Sequence, residues 1–161
     1  MSDVALRMRP ATAADQAFFA ALYRSTRPDL QGLLADPRYV DALAAMQQRM
    51  QVEGYRASYP DASYQVLELD GAAAGRLVTA VLGDAVRVVD IAVIPWARGR
   101  GLGRAALVRV QEQAARDGRA VTLAVRKDNA GARRLYAALG FAVDGEDGFM
   151  LQLRWRGDRP R

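Results

Sequence analysis

The chain has 161 residues, 51% hydrophobic and 25% charged, the composition of one globular domain rather than of a disordered or fibrous chain. It contains no cysteine and no histidine, which excludes disulfide frameworks, thiolate nucleophiles, thiolate zinc sites and imidazole-based catalysis. The net charge of +5 rests almost wholly on arginine, Lys127 being the sole lysine, and favours an anionic partner such as a phosphorylated ligand; a solvated basic surface explains it equally well.

The longest wholly apolar run, Ala17 to Tyr23, is far short of the roughly 20 residues that span a bilayer. The start Met1-Ser2-Asp3-Val4-Ala5-Leu6-Arg7 has no apolar signal core. A single domain over residues 1–161, cytoplasmic and without a membrane partner, is therefore expected.

In chain order, Val4 to Arg9 alternates and ends at Pro10, as an edge strand does. Thr12 or Asp15 can cap a first helix over Ala11 to Ser25, with Phe18 and Leu22 on its apolar stripe. Asp36 before Pro37 signals a second helix, stopped at Gly54, with Val40, Leu43, Ala44 and Met50 inward and Gln47, Gln48, Arg49 and Gln51 outward. From Tyr64 the period becomes two. Tyr64 to Leu69 and Ala74 to Val81 form a hairpin around Asp70-Gly71, whose residues supply the positive φ of a primed turn. The fourth strand, Ala85 to Ile94, is almost continuously apolar at its end, which predicts a central strand covered on both faces.

Pro95 to Gly101 leads into a third helix ending near Asp117 and Gly118. Ala120 to Arg126 is the fifth strand, parallel to the fourth because a helix connects them. Asp128 or Asn129 caps a fourth helix that ends at Leu139-Gly140. Phe141 to Val143 and Gly148 to Trp155 pair around the turn Asp144-Gly145-Glu146-Asp147, and Arg156 to Arg161 is a frayed tail. The expected fold class is α/β, in the α+β sense of a mixed sheet with helices on its faces.

Two constellations carry chemistry. Arg98-Gly99-Arg100-Gly101-Leu102-Gly103-Arg104 lies between a buried strand and a helix, where free amides and the positive end of the helix dipole meet a phosphate that glycines allow to approach. A tight turn with solvated arginines is the bland reading. No Gly-x-x-x-x-Gly-Lys-Ser/Thr occurs. The pattern Gly101-x-Gly103-x-x-Ala106 starts too far from the strand, and lacks the following acid, for a dinucleotide site. In the second constellation Asn129 and Tyr136, seven residues apart, share nearly one helix face about 10 Å apart. One extended ligand could touch both, although a helix cap and a half-buried aromatic account for them individually.

Together these segments resemble the GNAT superfamily of acyl-CoA-dependent N-acetyltransferases. Its Arg/Gln-x-x-Gly-x-Gly/Ala signature is Arg98 to Gly103, preceded by Ile91-Ala92-Val93, and Asn129, Leu135, Tyr136, Gly140 and Phe141 match its second signature. The resemblance covers Tyr64 to Trp155. It implies a mostly antiparallel sheet of about seven strands with a parallel, splayed pair (strands four and five) and four helices. It also implies acetyl-CoA as co-substrate, with no metal. Main-chain groups of Ile91, Ala92 and Val93 would bond the pantetheine arm like an added strand. Gly99, Arg100, Gly101, Leu102, Gly103 and Arg104, with Arg98, would hold the pyrophosphate, and Asn129 would contact the arm.

The implied reaction is direct attack of a primary amine on the thioester, with Tyr136 as general acid. The positions of the family's usual glutamate bases correspond to Arg87 and Ala124. Asp90 is then the nearest candidate base and Glu68 a second, while a structural role suits Asp90 equally. A small-molecule or peptide amine is favoured as acceptor over histone-like protein, and Gln47, Gln51, Tyr55 and Tyr64 could line its site. Monomer and homodimer both remain open. The rival readings are a non-catalytic acyl-CoA-binding sensor and a basic nucleic-acid-binding domain. The second is disfavoured by the lack of an aromatic platform within a basic strand motif.

Overall fold

The computed structural model describes residues 5–31 and 36–157. Strand β1 (Leu6–Pro10) is followed by a 3-10 turn at Ala13–Asp15, α1 (Gln16–Ser25), the short α2 (Pro28–Gln31) and the long α3 (Pro37–Ser58). Strands β2 (Ser63–Leu69), β3 (Ala72–Leu82) and β4 (Ala85–Val93) form a meander. Helix α4 (Leu102–Arg116) crosses to β5 (Ala120–Arg126), and α5 (Ala130–Ala138) precedes the hairpin β6 (Ala142–Asp147) and β7 (Met150–Trp155). One seven-stranded sheet results, ordered β1-β2-β3-β4-β5-β7-β6, with β4–β5 parallel and the other pairs antiparallel. The mixed fold and its parallel pair are as expected; α2 is a helix that the sequence reading did not include.

Alternation divides β3 between the two faces. Leu77 joins the main core with Leu102, Ala106, Leu107 and Ala114 of α4, and Tyr136 of α5 lies in the same cluster. Arg76 points the other way, its guanidinium over the rings of Phe19 in α1 and Tyr55 in α3. Helices α4 and α5 therefore share one face, where Gln111 donates to the Leu139 carbonyl at 3.0 Å and satisfies the end of α5. Helices α1 and α3 cover β3 on the opposite face, and a small satellite core of Leu30, Val40 and Ala44 joins them to α2.

Local chemistry explains most boundaries. The Asp36 carboxylate accepts from the Arg38 N–H at 2.8 Å and starts α3. Asp70 and Gly71 adopt φ of 51° and 84°, the two positive values of a type I′ turn. Gly75 is required by proximity, because a Cβ there would lie 2.5 Å from the Ala92 carbonyl oxygen.

Several expectations are corrected. Helix α3 continues through Gly54 to Ser58, since an isolated helical glycine costs only about 1 kcal/mol and Tyr55 beyond it is half-buried against Arg76. Its inner stripe is Val40, Ala44 and Gln48, while Met50 is 62% exposed. Gln48 is tolerated inside because Gln16 of α1 donates to its carbonyl oxygen. The last hairpin turns at Gly148 (φ 59°) rather than at Asp144–Asp147. Asp144 is instead absorbed as a bulge in β6, with its carboxylate accepting from Arg154 of β7. Val4 and the tail from residue 158 onward lie outside the described residues.

The entry to α1 is fixed by a charged cluster. Arg9 of β1 bonds both oxygens of Asp15, at 2.7 and 2.9 Å, and Glu68 of β2 at 2.8 Å. The Thr12 N–H also donates to Asp15. Hydrogen bonding to Arg9 holds the Asp15 carboxyl down at about 2, against an ordinary 3.8. A depressed carboxyl adds stability above its unfolded pKa and loses it as pH falls through the folded one. Acid titration of the urea midpoint should therefore fall between pH 3.8 and about 2, and Asp15→Asn should flatten that fall while lowering the midpoint at neutral pH.

Candidate active site

The sheet opens between its two parallel strands. β4 and β5 pair only at Ala85, Val86 and Arg87 against Ala120, Val121 and Thr122. Against β3, Val88 faces Thr79 but Asp90 faces Val78, so Val89 is an inserted residue. Such a bulge bends and twists its strand, and it falls where β4 leaves β5. Strand β5 follows β7, with which it pairs from Val121 to Arg126. The opening is a crevice of about 290 Å³ lined by Val88–Ile91 of β4, Leu123–Arg126 of β5, and Asn129, Tyr136 and Met150. The apolar end of β4 is therefore half-buried beyond Val88 instead of covered on both faces.

The freed edge of β4 carries main-chain groups. Ile94 donates to the Ala74 carbonyl of β3 at 2.8 Å. Alternation along the strand then turns the N–H and C=O of Ala92 toward β3, and those of Ile91 and Val93 toward the opening. Of the three residues expected to bond an extended ligand, Ile91 and Val93 have the suitable orientation. The Val93 carbonyl accepts from the Arg98 Nε at 2.9 Å, which ties the glycine-rich loop to the end of β4.

That loop follows a 3-10 turn at Pro95–Ala97. Gly99 and Gly101 have φ of 76° and 78°, a left-handed geometry that favours glycine. Gly101 is the N-cap of α4 and brings no side-chain acceptor. The first helical bond runs from Ala105 to Gly101, so the amides of Leu102, Gly103 and Arg104 precede the ladder. The Leu102 side chain is buried in the core while Arg98, Arg100 and Arg104 are exposed. This donor set, on a fifteen-residue helix, fits a diphosphate.

Of the predicted residues, Asp90, Ile91, Asn129 and Tyr136 line the crevice. The Asn129 carbonyl oxygen caps α5 by accepting from the Ala132 N–H at 3.2 Å. Tyr136 is 8% exposed and packs edge-on against Phe141, with ring centroids 5.9 Å apart. Burial, and then the charge of Asp90, push its phenol above the ordinary 10. The hydroxyl therefore stays protonated through neutral pH.

Asp90 is not a free carboxylate. Arg76, 4% exposed, donates to its Oδ2 from Nη2 at 2.8 Å and from Nε at 3.0 Å, and Nη2 also reaches the Gln51 carbonyl oxygen at 3.0 Å. Arg76 escaped the sequence reading, although a lone arginine within the apolar run Ala72–Leu82 was the available signal. Glu68 lies on β2, engaged by Arg9, and is absent from the crevice lining. Beside Arg76, burial raises the Tyr55 phenol to about 12, and the Tyr64 hydroxyl is buried without a partner among the described residues. Gln51 and Tyr55 thus meet at Arg76. Gln47 is bound instead to Arg27.

A mixed sheet opened between two parallel strands, with a glycine-flanked helix start after the first of them, is the fold of the N-acetyltransferase class. The chain belongs to the acetyltransferase (GNAT) family, whose sequence model matches residues 19–141. Among solved structures it resembles PaiA N-acetyltransferase from Thermoplasma acidophilum in complex with coenzyme A. Identity is 15% and the TM-score 0.69, covering 98% of this chain and 100% of that one. It also resembles the ribosomal-protein-S18-alanine N-acetyltransferase of Escherichia coli at 22% identity and TM-score 0.60, covering 93% and 92%. A chimera of spermidine N-acetyltransferase from Vibrio cholerae and hSSAT aligns at 18% and 0.65, covering 94% and 95%. No curated protein matches by sequence. At these identities the structural likeness speaks for the fold alone.

Proposed function

We propose that the chain transfers an acetyl group from acetyl-CoA to the primary amine of a small molecule or peptide by direct attack on the thioester. The observation that carries this reading is the opening between β4 and β5, which has Tyr136 in its wall and follows the same strand that ends at the uncapped amides of α4. When bound, acetyl-CoA supplies the activated acetyl group. The amides of Gly99 to Arg104 hold the diphosphate, Ile91 and Val93 bond the pantetheine arm, and the Asn129 side-chain NH₂ faces it from the other wall. As the amine nitrogen bonds the carbonyl carbon and the C–S bond breaks, the Tyr136 hydroxyl protonates the departing sulfur. The amine proton leaves to solvent. Asp90, held by Arg76, serves better to fix β4 than to accept that proton, so an amine delivered neutral suits this site.

Titration calorimetry with acetyl-CoA tests the cofactor half. Binding is expected in the parent chain. Gly101→Ala should weaken it, since a Cβ in left-handed geometry costs about 1–2 kcal/mol and tilts the donor amides. Absence of heat in the parent overturns the reading. The transfer half is tested by release of coenzyme A thiol with a panel of amines, against a protein background free of cysteine. Binding without release from any amine favours the non-catalytic sensor.

A further inference from the structure

Three arginines of the sheet, in β3, β5 and β7, are paired with carboxylates of the sheet or of the loop after β5. Arg76 holds Asp90, Arg126 holds Asp128, and Arg154 holds Asp144. Arg87, half-buried on β4, has no carboxylate within ion-pair distance among the described residues. It bonds a neutral amide instead, with Nη1 donating to the Gln152 carbonyl oxygen at 3.0 Å.

The placement of Arg87 follows from the register. It is the last residue of β4 paired with β5, opposite Thr122, and stands where the strands begin to part. Val88 beside it belongs to the core under α4, so alternation turns Arg87 to the opposite face, the one that also carries Asp90 and Arg76. To meet Gln152 of β7 the guanidinium must cross over β5, spanning two strand spacings of about 4.8 Å each. The residue opposite Gln152 on β5 is Ala124, whose methyl group leaves the path clear and which itself lines the crevice. One of the five guanidinium N–H donors is used by Gln152, and the planar fork that remains matches a carboxylate.

We propose that Arg87 is a specificity-determining residue that recognises a carboxylate on the acceptor, so that the preferred substrates are amino carboxylates: primary amines bearing an acid group a few bonds away. This rests on the acetyl-transfer reading above. Arg87 lies just before the crevice lining, which begins at Val88, and three residues of strand, on the order of 10 Å, from Asp90 in that wall. An acid held there while the amine enters the crevice favours a spacer between the two groups.

The test is a series of ω-amino carboxylates with two to six carbons, each paired with its primary amide, assayed by thiol release with saturating acetyl-CoA. The parent chain should prefer the acids, by a margin that peaks at one spacer length. Arg87→Gln should raise KM for the acids roughly ten- to a hundred-fold more than for the amides, the loss expected for one charge-assisted bond. Arg87→Lys should restore part of that difference. Thermal melting and acetyl-CoA affinity of the same samples report on fold and cofactor groove. Equal KM changes for acids and amides, or a parent chain without preference for acids, overturn the proposal. So does a silent panel in a chain that still binds acetyl-CoA, which leaves the cofactor groove standing. Loss of acetyl-CoA binding in the parent chain overturns the underlying reading instead.

Discussion

Tyr136→Phe should lower kcat by at least about 10²-fold, the lower end of what a positioned general acid contributes, while the affinity for acetyl-CoA changes less than about twofold. The substitution removes one hydroxyl and keeps the ring, whose edge-on packing against Phe141 at 5.9 Å preserves the wall of the crevice. The pH profile is a second readout. A buried phenol beside Asp90 ionises above 10, so the parent chain should keep its kcat across the neutral range and lose it only beyond pH 10. In the variant that alkaline limb should vanish. Stopped-time thiol release and calorimetry on the same preparations measure both quantities. Parent-like turnover in Tyr136→Phe would remove this residue from the chemistry while leaving the cofactor groove intact.

Arg76→Met should destabilise the fold by about 3 kcal/mol, at the low end for removing one partner of a buried pair. The low end applies because the Asp90 side chain is 20% exposed and retains some water, whereas Arg76 is 5% exposed. In a chain of this size the loss corresponds to roughly 6–12 °C in melting temperature. Two charge-assisted bonds to Asp90 and one to Gln51 disappear, and the rings of Phe19 and Tyr55 lose the cation that lies over each of them. Most of the cost is the stranded Asp90 carboxylate, so Arg76→Met combined with Asp90→Leu should regain more than half of it. Urea denaturation of the two single variants and the double variant closes that cycle. A single-variant loss below about 1 kcal/mol would show that water, not Arg76, compensates Asp90.

Arg76 also explains why β4 can carry a bulge without fraying. The pair Arg76–Asp90 links β3 to β4 one residue beyond the inserted Val89, and Gln51 ties the same guanidinium to α3. The bend that separates β4 from β5 is thereby fixed from the helix side. Asp90, for which the sequence offered a structural role beside that of base, is held in the crevice wall by this pair.

The sequence by itself determined all seven strands and the longer helices in their order, though not α2, because those depend on local chemistry. Asp36-Pro37, Asp70-Gly71 and Leu139-Gly140 act through backbone dihedrals and caps that need no distant partner. The parallel pairing of β4 and β5 follows from the helix between them. The glycine loop and the Asn129–Tyr136 segment were legible for the same reason, since their spacing is read along one short stretch of chain. Tertiary structure alone decided which polar groups lie inside. Gln48 replaced Met50 on the inner face of α3 because a partner from α1 waits there. Asp90 met Arg76, and Arg87 reached across β5 to Gln152, through pairings between residues 14 and 65 positions apart. A buried polar group is stabilised by its partner rather than by its own position in the pattern, and partners that far apart are brought together only by the register of the sheet.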